Sequence, residues 1–145
     1  MATSWLPGPL HPQRRRRNSF EYFFYTKHHG QDHSAIQWLS NMTRDEEFGV
    51  FELADFHDLS DDKGNLFGLR LDAQGAILEL GTDGQQVAEF PVPQSLTPWH
   101  GYPLLPLKSR GRPRLASPKQ ALRKMIAAQL LSDRQYGRLI RAKPV

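Results

Sequence analysis

The chain has 145 residues, enough for one small domain with tails, and 39% hydrophobic with 23% charged residues fits a soluble globular protein. It contains no cysteine, which excludes disulfides, thiolate catalysis and cysteine-ligated zinc. No apolar run approaches the roughly 20 residues of a membrane span, and no secretory signal pattern is visible. We therefore expect a cytoplasmic or nucleoid-associated protein without a membrane partner.

The net charge of +4 conceals three segments of alternating sign. Residues 1–43 carry five Lys or Arg against two Asp or Glu (+3), residues 44–89 carry three against twelve (−9), and residues 90–145 carry eleven against Asp133 alone (+10). Basic ends around an acidic centre indicate that the ends hold a polyanion. The alternative, that the ends fold back onto the acidic centre or meet it in another copy, stays open.

The first third of the chain predicts an arm followed by three elements. Residues 1–18 contain three prolines and the run Arg14, Arg15, Arg16, Arg17, which predicts a disordered basic arm able to contact phosphates. The aromatic segment 19–27 predicts a strand whose rings pack in the core, with base stacking as an alternative. Residues 34–42 predict a short helix, and residues 48–53 predict a second strand.

Two polar clusters raise the question of a metal site. The first contains the imidazoles of His28, His29 and His33, and the second is an acidic loop with Asp55, Asp58, Asp61 and Asp62 around His57. Such side chains bind transition metals or divalent cations, but the spacings match neither a zinc-peptidase nor a calcium-loop pattern. His57 among carboxylates is expected to have a raised pKa, a route to general acid chemistry. We interpret both clusters as solvated loops and expect no cofactor.

Residues 66–92 predict a three-stranded antiparallel meander. Its strands are expected at 66–71, 76–80 and 85–90, because apolar residues alternate between turns at 72–75 and 81–84. The proline-rich segment 95–107 follows, and its prolines disfavour both helix and central strand. We expect a connector that Trp99 and Tyr102 pin to the sheet, with His100 as a structural residue.

The sequence Lys108-Ser-Arg-Gly-Arg-Pro-Arg114 is the most specific stretch of the chain. Alternation of arginine with Gly and Pro predicts an extended backbone, which fits the narrow minor groove of A·T-rich DNA. This stretch resembles the AT-hook core. With the helices after it, it is also similar to the DNA-binding arm of Hin-type recombinases, although no third helix follows. The resemblance implies that Arg110, Arg112 and Arg114 enter a minor groove.

Residues 117–145 predict two helices that form a basic hairpin. Ser117 and Ser132 are each followed three residues later by Gln, the pattern of a capping box, and apolar stripes follow both. Arg134, Arg138 and Arg141 are spaced for one side of the last helix. They would contact phosphates, although basic residues near a helix C-terminus also suit the macrodipole.

The predicted fold class is α+β. We expect a small antiparallel β-sheet of about four to five strands, packed by one or two helices, with a disordered basic N-terminal arm and a basic C-terminal helical hairpin. The domains would be an arm (1–18), an α+β core (19–107), an extended AT-hook-like segment (108–116) and a helix-turn-helix-like tail (117–145).

The leading functional hypothesis is a nucleic-acid-binding protein without catalysis, acting as a regulator, an architectural factor or a subunit of a nucleoprotein assembly. DNA is favoured and RNA stays open, because phosphate contacts do not distinguish the two. The expected contacts are Arg14, Arg15, Arg16, Arg17, Lys108, Arg110, Arg112, Arg114, Arg123, Lys124, Arg134, Arg138 and Arg141. One alternative is a protein-interaction module of the antitoxin, immunity or adaptor kind. Its acidic sheet domain would cover a basic partner, and its C-terminal helices would dock in a groove or dimerise. A second alternative is a small metal-dependent nuclease.

Overall fold

A computed structural model describes residues 2–6, 22–25, 37–94, 98–105, 118–141, 143 and 145. The elements in chain order are β1 (Ala2–Leu6), β2 (Tyr22–Tyr25), α1 (Arg44–Phe56), β3 (Leu66–Gly68), β4 (Val87–Phe90), β5 (Tyr102–Leu105), α2 (Lys119–Ala127) and α3 (Asp133–Ile140). Strands β1 and β2 form an antiparallel pair, and β3, β4 and β5 form an antiparallel sheet in that order. The predicted α+β class is therefore confirmed.

The three-stranded sheet is covered on both faces. Side chains alternate across a strand, and in β3 Leu66 belongs to a core with α1 while Phe67 belongs to a core with α2 and α3. Strand β4 repeats the alternation, with Ala88 in the first core and Val87 in the second. The described residues thus form three layers: α1, the sheet, and the α2–α3 pair.

Helix α1 replaces the strand predicted at residues 48–53, so that prediction was wrong. The helix begins with a capping box, in which the Thr43 hydroxyl accepts from Glu46 N at 3.1 Å and the Glu46 carboxylate accepts from Thr43 N at 2.9 Å. Its buried apolar residues, Phe48, Phe51 and Ala54 among them, recur at helical spacing. The acidic residues Asp45, Glu46 and Glu47 are in the first turn of this helix, where negative charge suits the macrodipole.

The helix predicted at 34–42 is also absent over its described part, residues 37–42. The backbone of this segment forms one local turn, in which Met42 N donates to Leu39 O at 3.1 Å. Its other bonds go to a distant segment, since Leu39 N donates to Leu80 O at 2.8 Å and Thr82 N donates to Gln37 O at 3.1 Å. The Trp38 indole is buried and donates to Gly101 O at 3.1 Å. Long-range contacts of one large aromatic side chain therefore override the local helical spacing.

The predicted meander is only partly formed. Its turns are present, because Gly75 N donates to Asp72 O at 3.0 Å and Gly84 N donates to Gly81 O at 3.0 Å. Its first and last strands correspond to β3 and β4, which pair directly with each other. The predicted middle strand at 76–80 was wrong, since that segment contributes only an isolated bridge between Leu71 and Ile77.

The third strand of the sheet comes from the segment that we had interpreted as a connector without strand structure. Strand β5 contains Pro103, which pairs with Ala88 of β4. Proline cannot donate to a ladder, and β5 is the last strand in the order β3-β4-β5, where one row of backbone groups needs no partner in the sheet. Trp99 is buried and packs on α1, where its ring centroid lies 5.7 Å from that of Phe51. Tyr102 lies in β5 itself, and its hydroxyl donates to Glu89 Oε1 at 2.7 Å.

Candidate nucleic-acid interface

The α2–α3 pair is mounted on the sheet by its apolar side. Leu122 and Met125 of α2 and Leu139 of α3 are buried against Phe67 and Val87. The Ser132 capping box at the start of α3 is confirmed, since the Ser132 hydroxyl accepts from Gln135 N at 3.1 Å. Helix α2 has Pro118, and not the predicted Ser117, at its N-cap position, and no side chain caps it there; Ser117 lies outside the described residues.

Two arginines of α3 and the C-cap residue Arg141 lie on the side that faces away from the sheet. At about 100° per residue, Arg134, Arg138 and Arg141 fall within about 60° of one another, and Leu139 lies on the far side. Arg134 and Arg141 are exposed, and Arg138 is half-buried. We call these three residues the α3 arginine stripe. Its predicted placement on one side of the helix agrees with the observed burial.

Helix α2 carries further cations on its exposed side. Lys119 and Arg123 are four residues apart, which places them on one side of the helix, and both are exposed. Lys124 is half-buried, and its ammonium group donates to the Ser60 hydroxyl at 2.9 Å. Lys124 therefore ties α2 to the acidic loop, so of the predicted contacts on α2 it is Arg123 that faces solvent.

The remaining predicted contacts lie outside the described residues. These are Arg14, Arg15, Arg16, Arg17, Lys108, Arg110, Arg112 and Arg114, together with the candidate metal ligands His28, His29 and His33. The AT-hook-like segment and residues 7–18 of the arm therefore remain predictions from sequence. Residues 2–6 of the arm form strand β1 and pair with β2, so the predicted disorder was wrong there. What the described residues bring together is the basic outer side of α2 and α3.

The acidic loop after α1 has an internal structural role. One Asp61 carboxylate oxygen accepts from Lys63 N at 2.9 Å and Asn65 N at 3.0 Å, and the other accepts from Asn65 Nδ2 at 3.0 Å. Asp55 is buried within α1, whereas Asp58 is exposed. Within the described ranges, no group of three or more His, Asp or Glu is arranged to hold a metal ion.

Helix α1 carries buried carboxylates that sequence reasoning missed. Glu47, Glu52 and Asp55 are each no more than 2% exposed. The Tyr22 hydroxyl donates to the Glu47 carboxylate in the interior. Burial raises the pKa of Tyr22 well above its ordinary value, and the nearby Glu47 carboxylate raises it further. The helical spacing of Glu47 with the buried Phe51 would have been the signal, had residues 44–56 been assigned as a helix.

Charge is therefore divided between the two helical layers. The α1 layer has three acidic residues in its first turn, and the loop after it adds exposed Asp58 and Asp62. The α2–α3 layer has Asp133 as the only acidic residue of 118–145, against seven Lys or Arg in that range. The sheet lies between α1 and the α2–α3 pair, whereas the acidic loop reaches α2, because Leu59 packs in the α2–α3 core and Ser60 accepts from Lys124.

No match to this chain was found among protein-family models, curated proteins or solved structures. In the described part of the chain, no helix combines the length and the apolar character that a membrane span requires.

Proposed function

We propose that this protein binds nucleic acid, with the outer side of α2 and α3 contacting backbone phosphates. The observation that supports the proposal is that three exposed arginines lack an ion pair in the described part of the chain. Within the described residues, Arg123, Arg134 and Arg141 form no ion pair, whereas Arg70 pairs with Glu46 at 2.7 Å. Exposed guanidinium groups on a fixed surface bind phosphate oxygens through paired N–H donors.

The packing of α2 and α3 on the sheet favours a polyanion over an apolar protein as the binding partner. The apolar stripes of α2 and α3 are occupied by the protein's own sheet, so the hairpin presents its charged side outward. A nucleic-acid backbone offers negative charge at regular intervals, which suits cations spaced along two helices. A partner that docks on an apolar helix face would have to displace the sheet.

The AT-hook-like segment supports the same proposal by its position in the chain. Only four residues separate Arg114 from Lys119, the first residue of α2. Because an extended chain spans at most about 3.6 Å per residue, their Cα atoms lie within about 18 Å of each other. Minor-groove contacts from Arg110, Arg112 and Arg114 and phosphate contacts from the helices would therefore fall on one short stretch of duplex.

The test is the salt dependence of binding. Fluorescence anisotropy with labelled A·T-rich duplex, G·C-rich duplex and structured RNA, between about 50 and 200 mM KCl, should give a log–log slope near −5 for about six phosphate contacts. A flat salt dependence, or no binding to any of the three, would end the proposal. The A·T-rich duplex should bind best, because its narrow minor groove attracts arginine.

A matched pair of variants separates the basic side from net charge. Arg123→Gln removes a cation from the outer side of α2, and Lys63→Gln removes one from the exposed part of the acidic loop. Arg123→Gln should weaken binding to every sequence alike and reduce the slope by about one unit. Lys63→Gln should change neither, because its charge lies in the acidic loop. Equal effects of the two would point to nonspecific charge attraction.

A further inference from the structure

Gly137 occupies a position for which the described fold gives no reason. It lies inside α3, where glycine is less favourable than alanine. Its φ is not in the left-handed region. Among the described residues, only the Arg141 guanidinium comes within 4 Å of the point where a Cβ would lie, at 3.5 Å for Nη1 and 3.8 Å for Nη2. Alanine would fit there at ordinary contact distance.

At two glycines of the sheet region, packing excludes a side chain. A Cβ on Gly68 would lie 2.5 Å from Val50 O, and one on Gly101 would lie 2.2 Å from the ring of Phe90. At these two sites a neighbouring element excludes any side chain. At Gly137, apart from the backbone of α3, the group of the described residues that lies near the Cβ point is the flexible Arg141 guanidinium. Packing therefore does not require a glycine at this position.

The guanidinium of Arg141 folds back along α3 over Gly137. This brings the group to a level on the helix axis between Arg134 and Arg138, at the border of the α3 arginine stripe. Cations three and four residues apart on one helix side repel each other, and the repulsion is relieved when an anion lies between them. Asp133, the one carboxylate of this region, lies one turn before Gly137 on the same side of the helix, but within the described residues it forms no ion pair with Arg141.

We propose that the outward side of α3 at Gly137 is a binding site for one backbone phosphate. The missing side chain leaves room for a phosphate oxygen beside the helix, and the Arg141 guanidinium is already placed to donate to it. Arg134, in the preceding turn, adds positive charge near the same side of the helix. The proposal rests on the proposed nucleic-acid function and deepens it, because it identifies a phosphodiester group, and not a base edge, as what α3 recognises.

The chemistry of this side of α3 supports contact with the backbone alone. Reading bases in a groove uses side-chain amides or bidentate arginine aimed at base edges. The one amide of α3, Gln135, is engaged in the capping box, where its Oε1 accepts from Ser132 N at 2.8 Å. We therefore expect α3 to position the protein on the nucleic acid and to contribute equally to binding of all sequences.

The decisive variant is Gly137→Ala, because it should stabilise the fold and weaken binding together. Alanine is the better helix former, so the melting temperature should rise by about 3–6 °C. Its methyl group would occupy the space proposed for the phosphate, and the affinity for a labelled duplex should fall about tenfold, as for one lost charge-assisted hydrogen bond. The log–log salt slope should fall by about one unit.

A second set of variants keeps the test independent of any change in helix stability. Arg141→Gln should lower affinity to a similar extent, and Arg141→Lys should recover only part of the loss, because lysine keeps the charge without the planar fork. Lys63→Gln removes the same charge elsewhere and should bind as the wild type does. Each variant is compared at equal folded fraction, checked by circular dichroism.

The outcomes separate this site from the wider proposal. If the wild type binds with a steep salt slope and Gly137→Ala binds equally well with the same slope, the phosphate site is wrong and the nucleic-acid function stands. If Arg141→Lys binds as tightly as the wild type, charge alone suffices and the fork at Gly137 is likewise wrong. If the wild type binds no nucleic acid, both proposals fail together.

Discussion

Gln86 holds the backbone of Val145 through both ends of its side-chain amide. Val145 N donates to Gln86 Oε1 at 2.8 Å, and Gln86 Nε2 donates to Val145 O at 2.6 Å and to Ile77 O at 3.1 Å. Gln86 is 4% exposed. This amide ties the residues after α3 to the segment that precedes β4, and so helps to hold the basic hairpin on the sheet.

Replacing Gln86 with alanine should lower the free energy of unfolding by about 1–3 kcal/mol, because it removes a partner from the buried Ile77 carbonyl and from the half-buried backbone of Val145. The effect should be largest near α3, whose amides should exchange faster with deuterium. Urea unfolding and amide exchange measure the two effects. Gln120→Ala is the control, since Gln120 is exposed on α2 and should change stability by less than about 0.5 kcal/mol. Unchanged exchange in α3 would contradict the proposed role.

The close approach of Gly68 to α1 leads to a second prediction, about the stability of a variant with a side chain at this position. A Cβ at this position would meet Val50 O at 2.5 Å and Val50 Cγ1 at 2.8 Å, so α1 and β3 would have to separate. Gly68→Ala should destabilise the protein by about 1–3 kcal/mol, the usual cost of overpacking. Thermal melting of Gly68→Ala beside Gly137→Ala is the measurement. The same chemical change should lower the melting temperature at Gly68 and raise it at Gly137.

Helices α3 and α1 show which elements of the fold could be predicted from the sequence. Helix α3 was identified because its signals are local: a capping box at Ser132 and an apolar stripe within eight residues. Helix α1 has the same kind of start signal at Thr43, but the segment FGVFEL after it alternates as a strand does, and the strand interpretation was chosen. Local signals predict an element well when they do not compete.

The parts that could not be predicted depend on distant contacts. Strand β5 pairs with β4 although Pro103 argues against a strand, because its place at the end of the sheet order cannot be read from its own residues. Burial of Glu47 depends on Tyr22, which lies 25 residues away in the sequence. The Gly137 site needed the position of the Arg141 guanidinium, whereas the arginine spacing of α3 was visible from the start.

The buried pair of Tyr22 and Glu47 makes a prediction about alkaline pH. The pKa of Tyr22 is raised in the folded state, mainly by burial, so its stabilising contribution is complete below the pKa of the unfolded chain, about 10. It is lost as the pH rises toward the folded value. Wild-type stability should therefore decline above about pH 10 more steeply than that of Tyr22→Phe. Urea titrations at a series of alkaline pH values test this, and parallel curves would contradict it.

At acidic pH the corresponding group is Glu46. Its pKa is lowered first by the backbone hydrogen bond from Thr43 and then by Arg70, so its contribution is present above the unfolded value and lost as the pH falls through the folded one. Glu46→Gln keeps a side chain that can close the capping box but removes the ion pair with Arg70. It should destabilise the protein at neutral pH and have little effect once Glu46 is protonated. A cost independent of pH would contradict this assignment.

The last prediction separates the AT-hook-like segment from the helices. Arg112 belongs to a stretch whose resemblance implies groove contact, whereas Arg134 belongs to a stripe that we assign to phosphates. Arg112→Ala should weaken binding to A·T-rich duplex by about 1–3 kcal/mol and bring its affinity to that of G·C-rich duplex. Arg134→Ala should weaken both duplexes equally and leave the preference intact, because a phosphate contact carries no base information. Anisotropy titrations of the two variants on both duplexes decide between them. If Arg134→Ala also removed the A·T preference, α3 would lie in a groove, and its assignment to the backbone would be wrong.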